Sequence, residues 1–285
     1  MRKTHLGAFA TVLCLLLNSA LGVAMAKSAT VANAFEGIGC LNVRVKVIAA
    51  RRLDENTQAD LFDNFPSFYK GNKGFYELLV VHDENAPLDR LFLVNRQGVL
   101  IPPDFGPDDV GGEAANAESD GYAHISRLIF PISPGAQTTD YMLFIPGEKG
   151  ADCYALTESF DIADCAIHID GRVFWPCARI KNREDMTGDA EPGMMLVELT
   201  LVSVYAGTSW KAEFHQLQLT NNAGVRYAVR EIREQTSVSA YLQQTDASLK
   251  KFYLDFFIPE ASCPEDFQLT VPSDASASIQ LSERP

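Results

Sequence analysis

The sequence predicts an all-β protein of two tandem Ig-like β-sandwich domains arising from an internal duplication. Three observations predict it. Apolar and polar residues alternate with period two in runs rich in β-branched and aromatic side chains. Turn residues separate these runs roughly every ten to twenty positions. A set of landmarks then recurs about 125 residues further on.

The elements follow in order. Strands are expected at Val43–Ile48, Tyr76–His82, Ile125–Phe130, Met195–Val204, Phe214–Thr220 and Lys251–Ile258. Turn signals between them include Lys70–Gly74, Asp83–Pro87, Ser133-Pro134-Gly135 and Asn221–Gly224. Long helical periodicity is scarce. Asp54–Phe65 reads as a short helix, and Gln235–Ser248 fits either state. Many short strands joined by polar turns point to sandwiches rather than to a parallel sheet.

The duplication rests on four landmarks. Leu91–Val99 and Leu217–Val225 are both alternating strands running into an Asn-x-x-Gly turn. Tyr141–Pro146 resembles Leu254–Pro259. Each is followed by a polar loop holding a cysteine and then by an apolar strand, Tyr154–Thr157 or Phe267–Thr270. Cys40 and Cys165 each lead a strand at the front of a copy. The chain therefore divides into residues 1–26, a signal peptide; 27–35, an N-terminal linker; 36–163, the first sandwich; 164–276, the second; and 277–285, a polar tail.

The first segment is read from charge and hydropathy. Arg2 and Lys3 precede a largely apolar stretch, Leu6 to Ala20, and Ala24-Met25-Ala26 supplies the small-x-small pattern of a cleavage site. Asn18, Ser19 and Gly22 interrupt the apolar run, which argues against a stable span. Export to the periplasm or beyond is expected, with no membrane span after cleavage.

The 285 residues carry 37 acidic and 24 basic side chains, a formal charge of −13. Such a chain is repelled by phosphate backbones, so nucleic acid is excluded as a partner. With 47% hydrophobic residues it has ample material for a core.

Five cysteines follow the signal segment, in a compartment where thiols usually pair. Equivalent positions in the two copies suggest Cys40–Cys153 and Cys165–Cys263 bridges, leaving Cys177 as the odd free thiol. Each bridge closes a loop of about 100 residues, for which chain entropy allows several kcal/mol. Sequence alone leaves Cys165–Cys177 and Cys153–Cys165 open.

The order of elements also resembles a known group. Tyr76–Asp83, Leu91–Pro102 and Ile132–Pro146, with Pro134-Gly135 in the loop, are similar to the telokin-like Ig-fold modules of secreted bacterial proteins, the family of an immunoprotective extracellular antigen. The second copy departs from it, with Ala247-Ser248-Leu249 where the Pro-Gly belongs. The resemblance implies a non-enzymatic exported module of undefined role.

Catalytic signatures are missing from the sequence. No His-x-x-x-His spacing, Gly-x-Ser-x-Gly elbow or phosphate-cradling glycine loop occurs. His168 and His215 fall within alternating strands, and His82-Asp83-Glu84, at a strand end, reads as a loop, the alternative being a contribution to a metal site. Cys177 has Arg179 and Lys181 nearby but no histidine placed to activate it. No cofactor is expected, with one possible exception. Asp104, Asp108, Asp109, Glu113 and Asp120 lie in the Gly-rich stretch Pro103–Gly121, a loop whose carboxylates suit calcium, although the spacing is not that of a calcium loop. Phe62, Phe65, Phe68 and Tyr69 form an aromatic patch, read as core or as a partner surface.

The expectation is a non-enzymatic interaction protein of the bacterial envelope that engages a protein partner, in one form as an inhibitor or immunity protein for a basic target. The alternative is a carbohydrate-binding or hydrolytic sandwich, in which Trp175, Trp210 and Tyr205 stack on sugar. A pilus-type chaperone fits less well, since its cleft is basic.

Overall fold

A computed structural model describes residues 36–37, 40–41, 44–54, 58, 74–103, 105–109, 121, 124–169, 171–182, 192–206, 212–236, 247–263, 266–271 and 274–280. The expected signal peptide and linker, and Phe62, Phe65, Phe68, Tyr69, Asp104, Glu113, Asp120 and Trp210, lie outside these residues. The protein is mostly β, in several sheets. Gln58 is helical, its N–H donating to the Asp54 carbonyl at 2.9 Å.

The first half contributes β1 (Glu36–Gly37), β2 (Val45–Arg52), β3 (Gly74–His82), β4 (Phe92–Asn95), β5 (Leu100–Ile101), β6 (Phe105–Asp109), β7 (His124–Ile132), β8 (Tyr141–Pro146) and β9 (Ala151–Ala155). The second contributes β10 (Ile167–Ile169), β11 (Arg172–Asn182), β12 (Met194–Tyr205), β13 (Gln218–Asn221), β14 (Arg226–Ala228), β15 (Glu231–Thr236), β16 (Ser248–Pro259), β17 (Phe267–Val271) and β18 (Asp274–Gln280).

The halves repeat each other strand for strand. One sheet runs β1-β2-β3-β7-β6, and its counterpart runs β10-β11-β12-β16-β15; β5-β4-β8-β9 answers to β14-β13-β17-β18. Register is shared as well. Asn95 pairs with Tyr141 and Asn221 with Phe267, each 126 residues from its equivalent. His82 pairs with His124 where Ser203 pairs with Lys250, and Glu77 with Ile129 where Glu198 pairs with Asp255.

This register corrects three of the four landmarks. Tyr141–Ile145 is equivalent to Phe267–Val271, not to Leu254–Pro259, which belongs to the strand equivalent to β7. The second landmark therefore fails, and the strands and cysteines after it fail with it. Phe-Ile-Pro recurs because an apolar strand ending at a turn calls for similar residues in both sheets. Cys263 answers to Gln137, since each amide meets the aspartate three residues on (Asp266 Oδ2 at 3.2 Å, Asp140 Oδ2 at 2.7 Å). Cys153, in β9, answers to Ser278 in β18. At the front, Cys40 follows β1 whereas Cys165 precedes β10.

Two further expectations change. Residues 212–216 form a 3-10 turn rather than a strand, because Phe214 and Leu217 both enter the core and their i, i+3 spacing stacks them on one side. β6 and β18 place strands in the expected acidic loop and at the start of the expected tail, each completing a sheet edge beside β7 or β17.

Alternation explains the cores. Val45, Val47, Tyr76, Leu78, Val80, Leu128, Phe130 and Ile132 face Leu93, Ile101, Leu143 and Ile145 in the first half. Phe174, Leu199, Leu201, Phe252, Leu254 and Phe256 face Leu219, Phe267 and Leu269 in the second. A third core joins the halves. Phe92, Val94, Leu100, Met142 and Phe144 pack against Val173, Trp175, Cys177, Val202, Val204 and Leu249, with Phe144 and Trp175 edge-to-face at 5.6 Å. β5 and β11 pair in parallel at Leu100 and Cys177, so one sheet runs through both halves.

Candidate functional site

The duplicated Asn-x-x-Gly turns provide the clearest comparison between the halves. In each, the asparagine side chain folds back onto its own loop: Asn95 Oδ1 accepts from the Val99 amide at 3.0 Å, and Asn221 Oδ1 from the Val225 amide at 2.9 Å. Gly98 and Gly224 both sit in the left-handed region, at φ 77° and 79°.

Their surroundings differ completely. The first turn is covered by the chain between the halves: the Ala163 amide donates to the Arg96 carbonyl at 3.0 Å, and the Cys165 thiol to the Gln97 carbonyl at 2.7 Å. A Cβ at Gly98 would stand 2.4 Å from the Ala163 oxygen; one at Gly224 would meet nothing within 4 Å. Asn222, Ala223, Val225 and Arg226 are exposed. Val225 is 49% exposed, the one large hydrophobic side chain so exposed among the described residues.

The adjoining sheet face has diverged in the same sense. The five residues that the first half buries in the joint, Phe92, Val94, Leu100, Met142 and Phe144, are answered by Gln218, Thr220, Arg226, Gln268 and Thr270. Thr220 and Thr270 hydroxyls lie 3.2 Å apart, and Thr270 donates to the Gln218 carbonyl at 3.1 Å. The result is a polar ladder ending at the exposed turn.

Charged groups elsewhere are tied into the sheets. Arg233 Nη2 reaches Glu198 Oε2 at 2.5 Å and Asp255 Oδ1 at 2.9 Å, both carboxylates being almost fully buried on neighbouring strands. Burial raises the Asp255 pKa, opposed by its bonds to Arg233. Glu77, equivalent to Glu198, is buried and bonded by Arg51 at 2.5 Å. The Arg44 guanidinium and amide hold the Asp83 carboxyl below its ordinary pKa. Tyr205 is buried, with Arg172 over its ring at 4.2 Å and Lys250 at 5.6 Å; burial pushes its phenol up to about 12.

The remaining predicted residues fall as follows. No disulfide joins the five described cysteines. The Cys40 amide donates to Asp152 Oδ2 at 2.7 Å, and Cys40 packs with Tyr154 against the first core. Strand alternation then turns Cys153, between Asp152 and Tyr154, to the opposite face, where it is exposed. Burial and Asp152 push the Cys40 thiol up to about 11. Cys165 is engaged at the Gln97 turn and Cys263 is exposed on another. Cys177 is buried in the joint.

Asp108 and Asp109 lie in β6, in backbone register with Arg127 and Ser126 rather than in a loop. Among the described residues, no three His, Cys, Asp or Glu side chains gather into a cluster fit for a metal ion. Trp175 and Tyr205 are buried, so neither presents a face for stacking on sugar. His168 is exposed, and so is His215, which belongs to the 3-10 turn rather than to a strand. His82 belongs to β3 and is buried, not part of a loop.

Sequence reasoning missed the exposed turn as a site, although Gly224 and Val225 were already in the repeat. The signal was there: Phe92 aligns with Gln218 and Val94 with Thr220 across a shared Asn-x-x-Gly. The chain matches no protein-family model and no curated protein. No helix among the described residues is long and apolar enough to cross a membrane.

Proposed function

We propose that this chain is an exported, non-enzymatic binding protein of the bacterial envelope. In this reading it is a duplicated pair of Ig-like sandwiches of the telokin-like kind that engages a protein partner through the second copy. One observation carries the reading. The Asn-x-x-Gly turn, which the first copy covers with a chain segment, stands uncovered in the second and presents Val225 beside Arg226. The Gln97 and Arg96 carbonyls show how such a turn takes an extended segment, by accepting its donors. The apolar run and Ala24-Met25-Ala26 support export.

The test is affinity capture from envelope extracts with residues 27–285 as bait, beside a Val225→Asp variant of the same fold. A stoichiometric protein retained by the first and lost by the second supports the reading; equal capture by both removes the turn from it. The polar Gln218, Thr220, Gln268 and Thr270 face favours a second reading, glycan binding, because side-chain amides and hydroxyls match sugar hydroxyls. A glycan array with Gln268→Ala as control decides that case.

A further inference from the structure

Where β3 ends and β7 begins, the first half carries chemistry that strand pairing does not demand. His82, His124 and Ser126 lie on the face that sends Tyr76, Leu78 and Val80 into the core. In the second half the same three positions are Ser203, Lys250 and Phe252. The fold is thus completed there without imidazole.

The two rings are direct cross-strand partners, stacked with centroids 5.6 Å apart and planes at 25°. His82 is buried, and its Nδ1 lies 2.7 Å from the Asp83 carbonyl oxygen. A carbonyl only accepts, so Nδ1 carries the hydrogen and Nε2 presents its lone pair, 2.9 Å from Ser126 Oγ. A metal-ligating histidine takes this arrangement: one nitrogen tied to a backbone carbonyl, the other basic and aimed at the site. The charges beside it are already matched, with Arg44 Nη2 on Asp83 Oδ1 at 2.9 Å and on the Gly121 carbonyl at 3.3 Å.

We propose that His82 and His124 form a two-imidazole site for a late first-row divalent metal ion, the class that imidazole nitrogen favours. The ion replaces the Ser126 hydroxyl proton on His82 Nε2, takes one nitrogen of His124, and keeps water in its other positions.

Calorimetric titration of residues 27–285 with Ni2+ alone tests this. One ion is expected per chain near neutral pH. His124→Asn weakens it roughly tenfold or more, whereas His168→Asn, on β10, leaves it unchanged. Ser126→Ala, which removes the competing hydroxyl, tightens it. Circular dichroism checks that each variant is folded; His82→Asn removes the buried ring, so His124→Asn carries the test. No stoichiometric binding, or equal affinity in His124→Asn and the unaltered protein, overturns the proposal.

Discussion

At Gly98 and Gly224 one backbone conformation occurs twice, once against a wall and once in the open. Replacing either by alanine meets the same left-handed strain, on the order of 1–2 kcal/mol. Only Gly98→Ala also drives a Cβ to within 2.4 Å of the Ala163 oxygen. Gly98→Ala is therefore expected to lower the denaturation midpoint well beyond Gly224→Ala in parallel urea titrations. Equal losses would mean that the covering segment yields at no cost. The asparagine turns were legible in the sequence because Asn-x-x-Gly has a local mechanism. What covers the first turn was not, because residues 163–165 reach it through space and leave no spacing to read.

Among the elements, the cross-strand pair Glu198–Asp255 and its diagonal neighbour Arg233 show what a sheet does with charge. Two carboxylates face each other on β12 and β16, and a single arginine from β15, in register with Tyr253, bonds both. Arg233→Ala leaves both buried without that cation, a change of about 3–5 kcal/mol for broken buried pairs. The pH dependence follows from Asp255, whose folded pKa is already raised. A carboxyl that binds its proton more tightly when folded favours the fold at acid pH and loses that contribution as pH rises through its folded pKa. Arg233→Ala raises that pKa further, so its melting deficit should be largest near neutrality and shrink on acidification; a deficit constant with pH would contradict this. Strand existence was legible from alternation, as for β3, β7, β12 and β16. Strand equivalence was not: Phe-Ile-Pro recurs on β8 and β16, which occupy different places in the two halves, and only hydrogen-bond register separates them. The cysteine pairing inferred from equivalent positions rested on that confusion, and no disulfide joins the described cysteines.

Taken as a whole molecule, the halves share a sheet and a third core. Heating should give one transition rather than two, followed by calorimetry and by near-ultraviolet circular dichroism. Trp175→Ala, which empties the joint, is expected to cost about 3–5 kcal/mol and to separate the halves into two transitions. Thr270→Ala, at the position equivalent to Phe144, should stay within about 0.5 kcal/mol. A single unaltered transition in Trp175→Ala would show that β5–β11 pairing alone couples the halves. The composition announced enough apolar material for a core. It gave no sign that this material was divided among separate cores, since Phe92 and Leu93 are adjacent in sequence yet serve different ones.

The five substitutions that separate Phe92, Val94, Leu100, Met142 and Phe144 from Gln218, Thr220, Arg226, Gln268 and Thr270 also govern growth. A unit that seats its successor on an apolar face is one step from an endless stack, because a head-to-tail contact that does not close on itself repeats indefinitely. Turning that face polar in the second unit makes it a terminal cap, as outward-facing polar repeats do in solenoids. The second unit therefore offers no apolar seat of that kind for a third, and growth by this contact stops at two.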